Sequence, residues 1–214
     1  MSKISLKHSG GNVVSLNSPT SAPTSADVAF KLPNQDGSAN EVLKTDGSGN
    51  LSFSAAGITM ATQWRVTSNF TIGTGDGDYV IASNWESVDT QSYGRIGTDL
   101  TQSSGVFTFP STGIYRIFAH TTINNTSAAS YRAQLSIAVT SNNSSYDTAA
   151  VAKFALPSPA EQSGFMNCEY FFDVTNVSTH KFRIVARTYQ DNIKFQGDTD
   201  KSRTSINVFR LGDT

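Results

Sequence analysis

"GVFTFPSTGIYRI", residues 105–117, sets two apolar runs around a Pro-Ser-Thr-Gly turn. Val106, Phe107 and Phe109 precede the turn; Ile114, Tyr115 and Ile117 follow it. Proline fixes φ and lacks a backbone donor, and glycine opens positive φ, so the chain is expected to fold back on itself at residues 110–113. Beyond Gly113 large apolar groups occupy both faces of one strand. Tyr115, Ile117, Ala119 and Ile123 share the first, whereas Ile114 and Phe118 share the second with Arg116 and His120. A strand of this kind rarely leaves one side in water. Either a loop of the same chain covers the second face or another subunit does, and the pattern favours a subunit. Ile114, Tyr115, Phe118 and His120 are therefore the candidate core and interface residues.

Further strands follow with period two. In "YRAQLSIAV", Tyr131, Ala133, Leu135, Ile137 and Val139 oppose Arg132, Gln134 and Ser136. In "FMNCEYFFDV", Met166, Cys168, Tyr170, Phe172 and Val174 oppose Asn167, Glu169 and Asp173. In "HKFRIVART", Phe182, Ile184 and Ala186 alternate with Lys181, Arg183 and Arg187, a basic row that reads as a solvated face discouraging edge pairing. A last strand is expected in "SINVFRL", residues 205–211. Many half-buried strands without helical patterns mean an antiparallel sandwich or barrel.

Residues 1–60 differ in character. Only Phe30 and Phe53 among the aromatic residues precede Trp64. "KISLKH", "NVVSLN" and "DVAFKLP" read as short β-like runs, and "EVLKTDGSGNLSFS" as a hairpin with Val42 and Leu43 facing Leu51 and Phe53. So few apolar groups cannot repay the entropy of folding alone. The segment is expected to stay extended until it lies on a partner, with Ile4, Leu6, Val13, Leu16, Val28 and Phe30 filling the partner's pockets. The domains are thus read as 1–60 and 61–214.

With 15% charged residues and a net charge of −1 over 214 residues, no basic face is expected for nucleic acid. The N-terminus has no signal-peptide apolar core, and no apolar run is long enough to span a bilayer, so cytoplasmic synthesis without membrane insertion is expected. Cys168 is the single cysteine, which rules out an intrachain disulfide and reads as a buried structural thiol. Asp76 and Asp78 in "TIGTGDGDYVI", and Asp198 and Asp200 in "GDTDKS", supply oxygens of the kind calcium uses, but Asp-Gly pairs are ordinary turn formers, and no metal or cofactor is expected. His8, His120 and His180 lie apart with no metal-ligand spacing, and no nucleophile elbow points to an enzyme.

The spacing Gly105, Phe107, Pro110, Gly113 and Tyr115, with Trp64 and Trp85 ahead, resembles the C1q/TNF-like jelly roll over about residues 62–214. That resemblance implies an all-β antiparallel sandwich of short strands in two sheets, usually assembled as a compact homotrimer. Residues 3–54, from "ISLKHSGGN" to "GNLSFS", resemble N-terminal parts of virion structural proteins of tailed phages of marine bacteria, cyanophages in particular. The two resemblances together imply a non-enzymatic, trimeric fibre or appendage of the virion. Its N-terminal segment would bind capsid, portal or tail, and its head would touch the host surface, including surface glycan. A capsid-surface decoration protein and a carbohydrate-binding module remain as alternative readings.

Overall fold

The computed structural model describes residues 3–7, 9–17, 21, 29–39, 41–73, 77–125, 131–156, 162–189 and 193–214. His8, Val28 and Asp76 lie outside them. The chain divides into two compact units, residues 1–56 and 57–214.

In the first unit, β1 (Lys3–Lys7) pairs antiparallel with β2 (Val13–Asn17), Ile4 opposite Leu16. β3 (Glu41–Thr45) pairs with β4 (Leu51–Ala55), placing Leu43 opposite Phe53, Thr45 opposite Leu51 and Val42 opposite Ser54. The turn is tied by Asp46, whose carboxylate accepts from the Ser48 and Asn50 backbone N–H groups at 2.8 and 3.1 Å. Of "DVAFKLP", Asp27 and Val28 lie outside the described residues, and among residues 29–33 only Lys31 bridges, to Asn50, so the described part forms no strand. Pro33, which cannot donate to a ladder, bounds the run on its C-terminal side. Every side chain whose burial is described before Met60 is exposed or half-buried.

The second unit is all-β, with no helix among its described residues. Its strands are β5 (Met60–Val66), β6 (Phe70–Thr71), β7 (Tyr79–Val80), β8 (Trp85–Ser87), β9 (Thr101–Ser103), β10 (Val106–Thr108), β11 (Gly113–Asn125), β12 (Tyr131–Thr140), β13 (Asp147–Leu156), β14 (Ser163–Val174), β15 (Lys181–Thr188), β16 (Ile193–Phe195) and β17 (Thr204–Gly212). One sheet is centred on β11, with β14 along one side and β17, then β16, along the other; β5 and β8 follow β17, and β6 follows β16. The second sheet runs β13-β12-β15-β10-β9, with β7 also on β15. All pairings between these strands are antiparallel.

The Pro-Ser-Thr-Gly turn does not build the hairpin that a simple fold-back implies. β10 lies in one sheet and β11 in the other, so residues 109–112 cross the sandwich. Each residue of the 105–115 spacing has a physical task there. Ser104 and Gly105 both have positive φ (49° and 78°), the geometry of a two-residue type I′ hairpin loop, which closes β9 onto β10. The Phe107 ring sits between sheets, stacked 4.9 Å from Phe182 and edge-on to Trp64 and Trp85 at 5.7 and 5.2 Å. Gly113 has φ of 144°, and a Cβ there would lie 2.6 Å from the Gly212 carbonyl oxygen. Tyr115 is buried, and its hydroxyl donates back to the Ser111 carbonyl at 2.9 Å, tying the crossing to the strand it enters. Burying a phenylalanine such as Phe107 stabilises by about 1.5–3 kcal/mol, so this aromatic layer is a main source of cohesion.

The basic row of Lys181, Arg183 and Arg187 does not guard an edge. β15 is interior, paired with β12 on one side and with β10 and β7 on the other. Alternating charge reports which face meets water; it carries no information on a strand's position in the sheet. Ser136, on the polar face of β12, is buried as well.

Two charged hubs lock β5 to the following loops. Arg65, 1% exposed, donates to Glu86 at 2.6 Å, Thr90 at 2.9 Å and Asp89 at 3.0 Å. A buried guanidinium requires such partners. Asp99 accepts from Thr62 Oγ1 (2.6 Å), Trp64 Nε1 (2.9 Å), Ser87 Oγ (2.8 Å), Arg95 (2.8 Å) and the Leu100 N–H (2.8 Å). Burial alone would raise this carboxyl, but the bonds from Thr62, Trp64, Ser87 and Arg95 outweigh burial and hold it below the ordinary carboxylate value. A depressed native value adds stability above the unfolded value, and that stability is lost as pH falls through the native one. Asp99→Asn is therefore expected to destabilise the protein by about 1–3 kcal/mol at neutral pH. The difference from wild type should shrink below about pH 4. Urea unfolding of both proteins at several pH values measures this; a pH-independent difference contradicts the assignment.

Candidate functional site

β11 alternates strictly, so its even-numbered side chains leave the core: Ile114, Arg116, Phe118 and His120 stand on the outer face, half-buried, while Tyr115 points inward. Registers with the neighbouring strands fill out that face. Arg116 lies between Phe171 of β14 and Phe209 of β17, Phe118 between Glu169 and Asn207, and His120 between Asn167 and Ser205. Thr122 faces Phe165. The result is an aromatic surface around one ion pair: Arg116 Nε and a terminal nitrogen both reach Glu169 Oε2, at 2.9 and 2.5 Å, and the guanidinium lies 5.7 Å from the Phe118 ring.

His120 is held by the chain itself. The Ser202 carbonyl, 2.8 Å from Nε2, can only accept, so Nε2 carries the proton and donates. The Ser205 hydroxyl lies 3.3 Å from each ring nitrogen, and the Phe165 ring lies 5.7 Å from the imidazole. The ring is positioned by hydrogen bonds, with no metal-type set around it. Among the described residues no group of three His, Cys, Asp or Glu side chains could hold an ion.

Of the two covers expected for this face, a loop of the same chain is not seen among the described residues: Phe165 and Phe171 are 53% and 55% exposed. Sequence reading missed both of these residues, although the signal was present. In "FMNCEYFFDV" they fall on the side of Asn167, Glu169 and Asp173, and two phenylalanines on a polar face mark the same surface as Phe118. Phe209 and the exposed Leu211 follow the same rule in β17.

Other singled-out residues are placed as follows. Asp78 pairs with Arg187 at 3.6 Å. Asp198 closes a turn, accepting from the Asp200 N–H at 2.8 Å and from Arg203 Nε at 3.1 Å; the backbone bond first, then the guanidinium, hold its carboxyl low. Burial pushes the Cys168 thiol up to about 11, which suits a structural role. Ile4, Leu6, Val13, Leu16 and Phe30 of the first unit are all exposed.

No family model and no curated protein matches the chain. Solved structures do. The crystal structure of murine APRIL at pH 5.0 has a TM-score of 0.50 and 12% identity, with 71% of this chain and 98% of that chain covered. The Eiger TNF of S. frugiperda has the same TM-score and identity, with 73% and 95% covered. At that identity the likeness concerns the fold alone. The antiparallel sandwich expected from Gly105, Phe107, Pro110, Gly113 and Tyr115 is found, and it is a TNF-like jelly roll.

Proposed function

We propose that the protein is a non-enzymatic structural part of a phage particle, with residues 57–214 forming a trimeric head and residues 1–56 attaching it. The observation that carries the reading is a contrast between the units. The head has a closed aromatic core yet leaves Phe165 and Phe171 bare beside Phe118, whereas the first unit has strands but buries no described side chain. Exposed aromatic surface of this kind marks a protein contact, and a closed ring of identical heads would cover it on every subunit. Ile4, Leu6, Val13 and Leu16, on paired short strands, suit addition to the edge of another virion protein such as capsid, portal or tail. The protein would then be made in the host cytoplasm and reside in the virion, its head meeting the host surface.

Antibody against the head, applied to purified particles, tests the assignment. Label on tail or appendages is the expected result; label spread over the shell supports the decoration reading; no label on intact particles removes both.

A further inference from the structure

The sheet opposite the aromatic face carries a second feature. A cleft of about 430 Å3 opens between the β9–β10 hairpin and the loop at residues 141–146. Its walls include Thr101, Ser103, Thr108, Asn143, Tyr146 and Lys181, with Val106 among them. The register of β10 on β15 sets Thr108 beside Lys181 and Val106 beside Arg183. The overhanging loop is shaped in advance by one carboxamide. Asn142 Oδ1 accepts from Thr140 Oγ1 (2.9 Å), the Ser144 N–H (2.9 Å) and the Ser145 N–H (3.0 Å), while Nδ2 donates to Ser145 Oγ at 2.9 Å. Asn143 takes φ of 57°, and its N–H donates to the Thr179 carbonyl at 3.0 Å, docking the loop on the strand base.

Lys181 is the cation in the cleft wall, and Arg183 lies next to the cleft without lining it. Arg183 lies over the Tyr146 ring at 4.1 Å, and its Nε is buried without a hydrogen-bond partner. Among the described residues no carboxylate lies within ion-pair distance of Lys181 or Arg183. Lys181 in the wall, with Arg183 next to it against the Tyr146 ring and no carboxylate beside either, favours a negatively charged ligand. The hydroxyl and amide lining, with one aromatic ring, calls for a polyhydroxylated one.

We propose that this cleft binds an acidic saccharide, its carboxylate held by Lys181 in the wall and its hydroxyls by the threonine, serine and asparagine side chains, with Arg183 against the Tyr146 ring adding positive potential from outside the lining. This deepens the reading of the head as the host-facing part, on which it rests for its biological setting, by naming the chemistry of the contact. Covering the aromatic face of the other sheet leaves the cleft open.

The test is calorimetric titration of the full chain with an oligogalacturonate and, separately, with the same oligomer methyl-esterified. The acid should bind saturably, and esterification or Lys181→Gln should each weaken binding about tenfold or more. Val106→Trp, which fills the cleft without changing charge, should abolish it; should that variant fail to fold by circular dichroism, Ser103→Tyr on the exposed hairpin does the same. No saturable binding at millimolar acid, equal binding of acid and ester, or unchanged binding in both the charge and the filling variants overturns the proposal. Light scattering on the same samples separates the two readings. A monomer that binds the acid removes the trimer and leaves the cleft, and a trimer that binds neither oligomer removes the cleft alone.

Discussion

Phe118→Asp is expected to turn a trimeric head into a folded monomer. The side chain stands on the outer face of β11, between Glu169 and Asn207, so the new carboxylate would meet Glu169 on one side and would have to compete with it for Arg116, the one cation near the Phe118 ring among the described contacts. In a closed ring each subunit would bury one such charge, at a cost of about 3–5 kcal/mol apiece where no partner neutralises it. The inner face of the strand, with Tyr115, Ile117 and Ala119, is untouched, so the core should hold. Light scattering should report three chains for wild type and one for the variant, with near-ultraviolet circular dichroism retained in both. Phe118→Leu should remain trimeric. A wild-type protein that is monomeric at micromolar concentration, or a variant that stays trimeric, sinks the assignment of this face.

The second large effect concerns residues 1–56. Their removal should leave a soluble head whose melting temperature is close to that of the full chain, because every side chain of that unit whose burial is described is exposed or half-buried. The same deletion should reduce incorporation into particles to background, since Ile4, Leu6, Val13 and Leu16 would be gone. Copy number of truncated and full-length protein in assembled particles, measured by quantitative immunoblot, decides it. Normal incorporation of the truncated form would move the attachment to the head.

Strand-level organisation was legible wherever burial alternates. Ala133, Leu135 and Ile137, then Met166, Cys168, Phe172 and Val174, and Phe182, Ile184 and Ala186 are in the core, with Val139 and Tyr170 packed against it. The sheet to which a strand belongs was not legible, as β10 and β11 show: periodicity fixes a strand's faces but says nothing of its neighbours, and a proline-glycine turn serves a crossing as well as a hairpin. The polar hubs were also out of reach. Asp99 bonds to Thr62 and Trp64 across 37 and 35 positions, and Tyr93 donates its hydroxyl to Thr62 at 3.3 Å and accepts from the Gln63 N–H at 2.8 Å, so nothing local marks any of them. The outer aromatic face was half-legible: Ile114 and Phe118 stood out against Arg116 and His120, while Phe165 and Phe171 were hidden among the polar residues of β14. The cleft beside Lys181 needed the loop at 141–146 folded over β15, which its serine and asparagine composition does not announce.

The central position of β11 also governs when the head can form during synthesis. Arg116 meets Glu169, 53 positions on, and Thr121 meets Thr204, 83 positions on. Neither side of the longest strand can be paired until most or all of the chain has left the ribosome, and loop closure over such spans slows folding. Until β17 arrives, a thirteen-residue strand with apolar groups on both faces is open to strands of other nascent chains. Yield of soluble head should therefore rise with slower synthesis at low temperature, and fragments ending before residue 204 should collect in the insoluble fraction.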